Sequence, residues 1–136
     1  MDTFGCFSQR NVHLTAQITS ERKKTSMAWF LVQFQFNGSS AKAMVDKPQD
    51  RLEPAKALAE MFGGKIHHYF FSFGHYDGLA IAEVPDNISA AAFSMKAAST
   101  NAFSRFELTV LIPSNEAEAA MRMARDQGTA YRPPNA

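Results

Sequence analysis

Apolar and polar positions alternate with a period of two through Ala28–Phe36 (AWFLVQFQF), placing Phe30, Val32, Phe34 and Phe36 on one face and Trp29, Leu31, Gln33 and Gln35 on the other. That pattern predicts a β-strand whose all-apolar face meets helices. Asn37-Gly38-Ser39-Ser40 reads as a turn into a helix, with Ser39 or Ser40 as N-cap. Residues 40–62 are helical in pattern but interrupted at Pro48. The amphipathic part begins near Asp50, where Arg51, Leu52, Ala55, Leu58, Ala59 and Phe62 recur at helical spacing. Gly63-Gly64 ends it.

The stretch Lys65–Pro85 (KIHHYFFSFGHYDGLAIAEVP) predicts two strands meeting at a Gly-His-Tyr-Asp corner. In an unbroken first strand, Ile66, His68, Phe70 and Ser72 share one face and His67, Tyr69, Phe71 and Phe73 the other, so both faces carry aromatics. Asp86–Asn101 is an alanine-rich helix capped by Asp86 or Asn87, with Ile88, Ala91, Ala92, Met95 and Ala98 on one face. Phe103–Ile112 is a fourth strand, in which Phe106, Leu108, Val110 and Ile112 oppose Phe103, Arg105, Glu107, Thr109 and Leu111. Pro113 closes it, and a last helix follows over 116–127 with Ser114 as N-cap and Gly128 at C′.

The order β-α-β-β-α-β plus a helix is the α+β, ferredoxin-like arrangement: an antiparallel four-stranded sheet with helices on one face. Its second face would carry Trp29, Leu31, Tyr69, Phe71 and Phe73 or their alternates, too much apolar surface to leave in water. A homodimer pairing the two open sheets is the simplest cover.

Composition adjusts this picture at the edges. A chain of 136 residues with 46% apolar and 20% charged residues is one domain with a real core. Residues 27–128 form that domain, 129–136 a loose tail, and 1–26, which lack either period, a flexible extension. Met27 is an alternative start, and a Ser/Arg-containing targeting peptide is a weaker reading of what precedes it. Net charge is +1 without a basic stripe, which argues against a nucleic-acid partner, and no window is apolar for long enough to span a membrane. With a single cysteine, Cys6, in the extension, a reducing cytoplasmic location is the simpler expectation. No Cys/His spacing suggests a metal site, and no cofactor is implied.

The corner holds the candidate chemistry. Asp77 is a possible general base, Tyr76 a donor to a developing oxyanion and His75 or His67 a proton carrier. The competing reading is turn chemistry, with Gly74 supplying an unusual φ and Asp77 accepting backbone N–H bonds. Tyr76 and Asp77 lie on opposite faces of an extended strand, and His67 and His68 likewise, so neither pair acts readily from one side. The aromatic set His67, Tyr69, Phe71, Phe73 and Trp29 is the candidate lining for a small apolar or aromatic ligand. Arg105 and Glu107 should be paired with each other wherever their face is covered.

Phe73-Gly74-His75-Tyr76-Asp77, together with Asp50-Arg51-Leu52-Glu53, Ala57-Leu58-Ala59, Gly63-Gly64-Lys65 and Glu83-Val84-Pro85-Asp86, resembles the GYD-domain family over about Ala28–Arg125. That family comprises small bacterial proteins similar to the dimeric α/β-barrel group. The resemblance implies two ferredoxin-like subunits pairing their sheets, and it implies almost nothing about reaction. Three functions follow as expectations: a dimer binding a small apolar molecule, a cofactor-independent oxygenase or isomerase using the corner, or a non-catalytic assembly module.

Overall fold

A computed structural model describes residues 27–135. The strands are β1 (Ala28–Phe36), β2 (Lys65–Phe71), β3 (Gly78–Val84) and β4 (Phe103–Leu111), and the helices α1 (Gly38–Asp46), α2 (Leu52–Glu60), α3 (Asn87–Ser99) and α4 (Ser114–Asp126). The strands form one four-stranded sheet in the order β2-β3-β1-β4, with every neighbouring pair antiparallel. This is the ferredoxin-like α+β architecture with an added C-terminal helix. The expected flexible extension and Cys6 lie outside the described residues. Residues 129–135 are irregular and exposed.

The all-apolar face of β1 meets the helices as its alternation predicts. Phe30, Val32 and Phe34 are 4%, 2% and 3% exposed, and they join Ile66, Ala80, Ala82, Val84, Ala59, Ala90 and Phe93 in the core between the sheet and helices α2 and α3. The α3 stripe differs from the expected one. Ala90, Phe93 and Ala97 are buried, whereas Ile88 and Met95 are 83% and 72% exposed. In a helix with so many alanines, several stripes have similar apolar character, and the one containing the bulky Phe93 ring wins because it buries most area.

Two irregularities in strand pairing change which residues share a face. In β2 the register shifts between Ile66 and His68, so that Ile66 and Tyr69, three apart, oppose Ala82 and Ala80 on the helix-covered side. An extra residue in one strand does this by breaking the period of two. Tyr69 and Phe71 therefore belong to the helix side, stacking on Phe34 and Phe36, with ring centroids 5.5 Å and 6.1 Å apart. His67 and His68 do not take opposite faces. His67 stacks on Trp29 at 4.7 Å, while His68 opposes Ile81 and stacks on Phe70. In β4 a shift beside Gln35/Phe36 brings Phe103 opposite Phe36 and away from Arg105, with which it was expected to share a face.

The caps also differ in detail. Asn37 caps α1 by accepting from the Ser40 N–H at 2.9 Å, in place of either serine. Asp86 caps α3 as expected, accepting from Ser89 N–H at 2.7 Å, and that bond holds its carboxyl below the usual range. Pro113 occupies the N-cap position of α4, so Ser114 is its first residue rather than its cap. Gly63 and Gly128, the glycines with positive φ, follow α2 and α4. No described helix is long and apolar enough to cross a membrane.

Candidate functional site

A cavity of about 260 Å³ opens between the sheet and helices α2 and α3. Its walls are almost entirely apolar: Val32, Phe34 and Phe36 from β1, Leu58 from α2, Phe93 and Ala97 from α3, and Phe103 and Phe106 from β4. The two register shifts account for much of this lining. They turn Tyr69 and Phe103 inward, where an unbroken alternation would have sent each to the other face. Ring meets ring around the walls, with Phe34, Phe36 and Phe103 in mutual edge or stacked contacts and Phe106 tilted against Phe103, at 5.1–5.7 Å.

Few polar groups reach the cavity. Thr100 donates its hydroxyl to the Ala97 carbonyl at 2.6 Å and is thereby satisfied. Burial pushes the Tyr69 phenol up to about 12, so it stays a neutral hydrogen-bond donor at any ordinary pH. Arg51, which precedes α2, also lines the cavity, and its charge lowers the phenol against that burial effect.

The corner is built differently. Ser72 N–H donates to the Asp77 carbonyl at 2.9 Å and Ser72 Oγ to the Tyr76 carbonyl at 2.6 Å, closing the loop between β2 and β3. Asp77 N–H donates to the Phe34 carbonyl at 2.9 Å, and the Asp77 carboxylate accepts from Phe36 N–H at 2.8 Å. Asp77 thus completes the edge of β1 beyond its last partner in β3. The Tyr76 hydroxyl turns to the other face of the sheet and donates to Glu107 at 2.6 Å, a bond that raises its pKa. His75 Nε2 lies 2.8 Å from Arg105, and Arg105 pairs with Glu107 at 3.5 Å. His75, Tyr76, Arg105 and Glu107 are one polar cluster on the open face.

Of the residues singled out from sequence, the cavity receives Tyr69, with Phe71 stacked on Phe36 beside it. Trp29 and His67 stack on each other on the opposite face, where His67 Nε2 lies 2.5 Å from Glu83, and Phe73 is fully exposed in the loop. None of His75, Tyr76 and Asp77 lines the cavity. Gly74 has neither a positive φ nor a neighbour within reach of an added Cβ, so the corner does not need its glycine for backbone reasons. Sequence reasoning set Arg51 aside as a solvated or surface-paired charge and did not assign Phe93, Phe103 or Phe106 to a site. Phe93 was the detectable one, since Ala90, Phe93 and Ala97 are spaced as one helical stripe. Among the described residues no group of three or more His, Cys, Asp or Glu could hold a metal ion.

Residues 30–121 match the family model described as the GYD domain. No curated protein and no solved structure matches the chain. The family match covers well over half of the sequence, and the chain belongs to the GYD-domain family.

Proposed function

We propose that this GYD-domain protein binds a small apolar or aromatic molecule in the cavity between sheet and helices, and that it works as a sheet-paired homodimer. The observation that carries the first part is the cavity itself, open and ring-lined in a chain short enough to have filled it with its own phenylalanines. Natural cores close voids of this size because unfilled apolar space forfeits dispersion contacts. The oxygenase or isomerase reading would need the corner beside the substrate. Here Asp77 is engaged with Phe36 N–H, and Tyr76 and His75 face the other side of the sheet. An assembly module would need no cavity at all.

A thermal-shift screen of the full chain against small aromatic and aliphatic compounds tests the binding. A ligand at a hundred times its Kd should add about 2.7 kcal/mol of stability. Ala55→Leu, which adds three carbons of side chain toward the cavity, should abolish the shift. Binding unaffected by Ala55→Leu would put the ligand elsewhere.

Support for the dimer comes from the open face, where Trp29, Leu31, Leu79, Ile81 and Leu111 remain partly exposed and Phe70 is 56% exposed. Helix α4 adds to it, because a helix of 13 residues with no buried side chain is marginal alone and gains stability from a partner. The central open-face pair Leu31↔Ile81 is the place to disturb association. Sedimentation velocity should give a dimer for the native protein and a monomer for Leu31→Glu, since a desolvated unpaired carboxylate is costly. A native monomer, or a Leu31→Glu dimer of equal strength, would remove the sheet-paired arrangement.

A further inference from the structure

We propose that the ligand of the cavity is a small carboxylic acid, its apolar body held among the rings of Phe34, Phe93, Phe103 and Phe106 and its carboxylate held by Arg51 and the Tyr69 hydroxyl. This rests on the reading of the cavity as a ligand site and adds the charge of what enters.

Apart from the Thr100 hydroxyl, which is given to the Ala97 carbonyl, the polar groups lining the cavity are those of Arg51 and Tyr69. Both groups can donate to a ligand: the guanidinium carries donors and no acceptor, and the buried phenol keeps its proton to give. Neither is taken up by an acidic partner. The Arg51 guanidinium donates to the neutral Gln49 side-chain oxygen at 2.7 Å, and among the described residues it forms no ion pair. The neighbouring Asp50 carboxylate is directed to the start of α2, where it accepts from Leu52 N–H at 2.9 Å. At the Tyr69 phenol the influence of Arg51 outweighs the opposing one of Asp50. A cationic fork with spare donors in the lining of an apolar cavity is matched by a carboxylate, which can take two parallel N–H···O bonds and leave its hydrocarbon part to the rings. The cavity volume of about 260 Å³ lies just below the range for drug-sized ligands, which limits the acid to a single ring or a short chain.

The test measures Kd by calorimetry for two matched pairs, phenylacetate against phenylacetamide and octanoate against octanamide, on the native chain, Arg51→Gln and Tyr69→Phe. The acid of at least one pair should bind tighter than its amide by about tenfold or more, the size of a charge-assisted bond. Arg51→Gln should remove that advantage, weakening the acid much more than the amide, and Tyr69→Phe should weaken the acid by a smaller factor. Urea midpoints of the unliganded variants check that each still folds. Amides that bind as well as acids, or an acid preference that survives Arg51→Gln, would overturn the carboxylate while leaving the cavity as an apolar site. No binding by any of the four compounds would overturn both readings together.

Discussion

Gly78→Ala is expected to destabilise the protein by about 3 kcal/mol, the upper part of the usual range for overpacking a core. A Cβ at Gly78 would lie 2.5 Å and 2.6 Å from two carbons of the Phe34 ring and 2.8 Å from the Phe70 carbonyl oxygen. The position is the first of β3, paired with Phe34 on one side and Phe71 on the other, so it is squeezed from both neighbouring strands. The ring could swing away, but only toward the cavity and at the expense of its stack on Tyr69. The carbonyl cannot move without separating β2 from β3. A double variant with Phe34→Leu should therefore recover part of the loss and not all of it, giving a favourable coupling energy in a mutant cycle. Gly74→Ala, four residues earlier, meets open space and should change stability by no more than about 0.5 kcal/mol. Urea unfolding of Gly78→Ala, Phe34→Leu, their double variant and Gly74→Ala measures this, and a Gly78→Ala protein as stable as the native one would mean that the Phe34 ring does not lie across Gly78.

The contrast between those two glycines bears on what the corner is. Gly74 belongs to the motif that marks the family resemblance, yet the fold makes no demand on it. Gly78, just after the motif, is where the sheet needs a residue with no side chain. Asp77 lies between these two glycines. Its backbone and its carboxylate both serve β1, and the β1 strand in turn carries Val32, Phe34 and Phe36 into the cavity wall. The corner thus acts on the candidate site through the strand it holds, from outside the cavity.

How far the chain could be read in advance depended on whether a segment offered one pattern or two. The alternation in Ala28–Phe36 is unambiguous, because one of its faces is wholly apolar, and its buried side follows directly. In β2, with aromatics at both parities, nothing local says that the ladder steps past one residue near His67. That step moved Tyr69 and Phe71 to the helix side and left Trp29 to stack on His67. In α3 the alanines suit any face, and the bulk of Phe93 is the one mark of the stripe that is buried. Arg51, visible before α2, reads in sequence as a solvated surface charge, because its place in a cavity wall depends on β2 and β4 arriving from elsewhere in the chain. Residues that act on a ligand from three separate elements have no common sequence signature.

Asp77→Ala should cost about 1–3 kcal/mol, the loss that follows when a partly buried backbone donor is left without an acceptor. The donor is Phe36 N–H. The last β1–β3 partners are Phe34 and Gly78, so beyond them β1 has no strand left on that side, and the Asp77 carboxylate stands in for one at 2.8 Å. Asp77→Asn keeps an oxygen in the same place and gives up only the charge on it, so its cost should be the smaller, about 0.5–1.5 kcal/mol. A stability order of Asp, then Asn, then Ala, read from urea midpoints, is the signature of a structural acceptor. Ligand affinity in the cavity should follow the same order, with Asn close to native, because Phe36 is part of the wall. A general base behaves in the opposite way: Asn would abolish the function while sparing the fold. An Asp77→Asn protein of native stability that no longer acts on its bound ligand would therefore return the corner to chemistry. A protein that loses stability and affinity together fixes Asp77 as the tie that holds the end of β1 against the cavity.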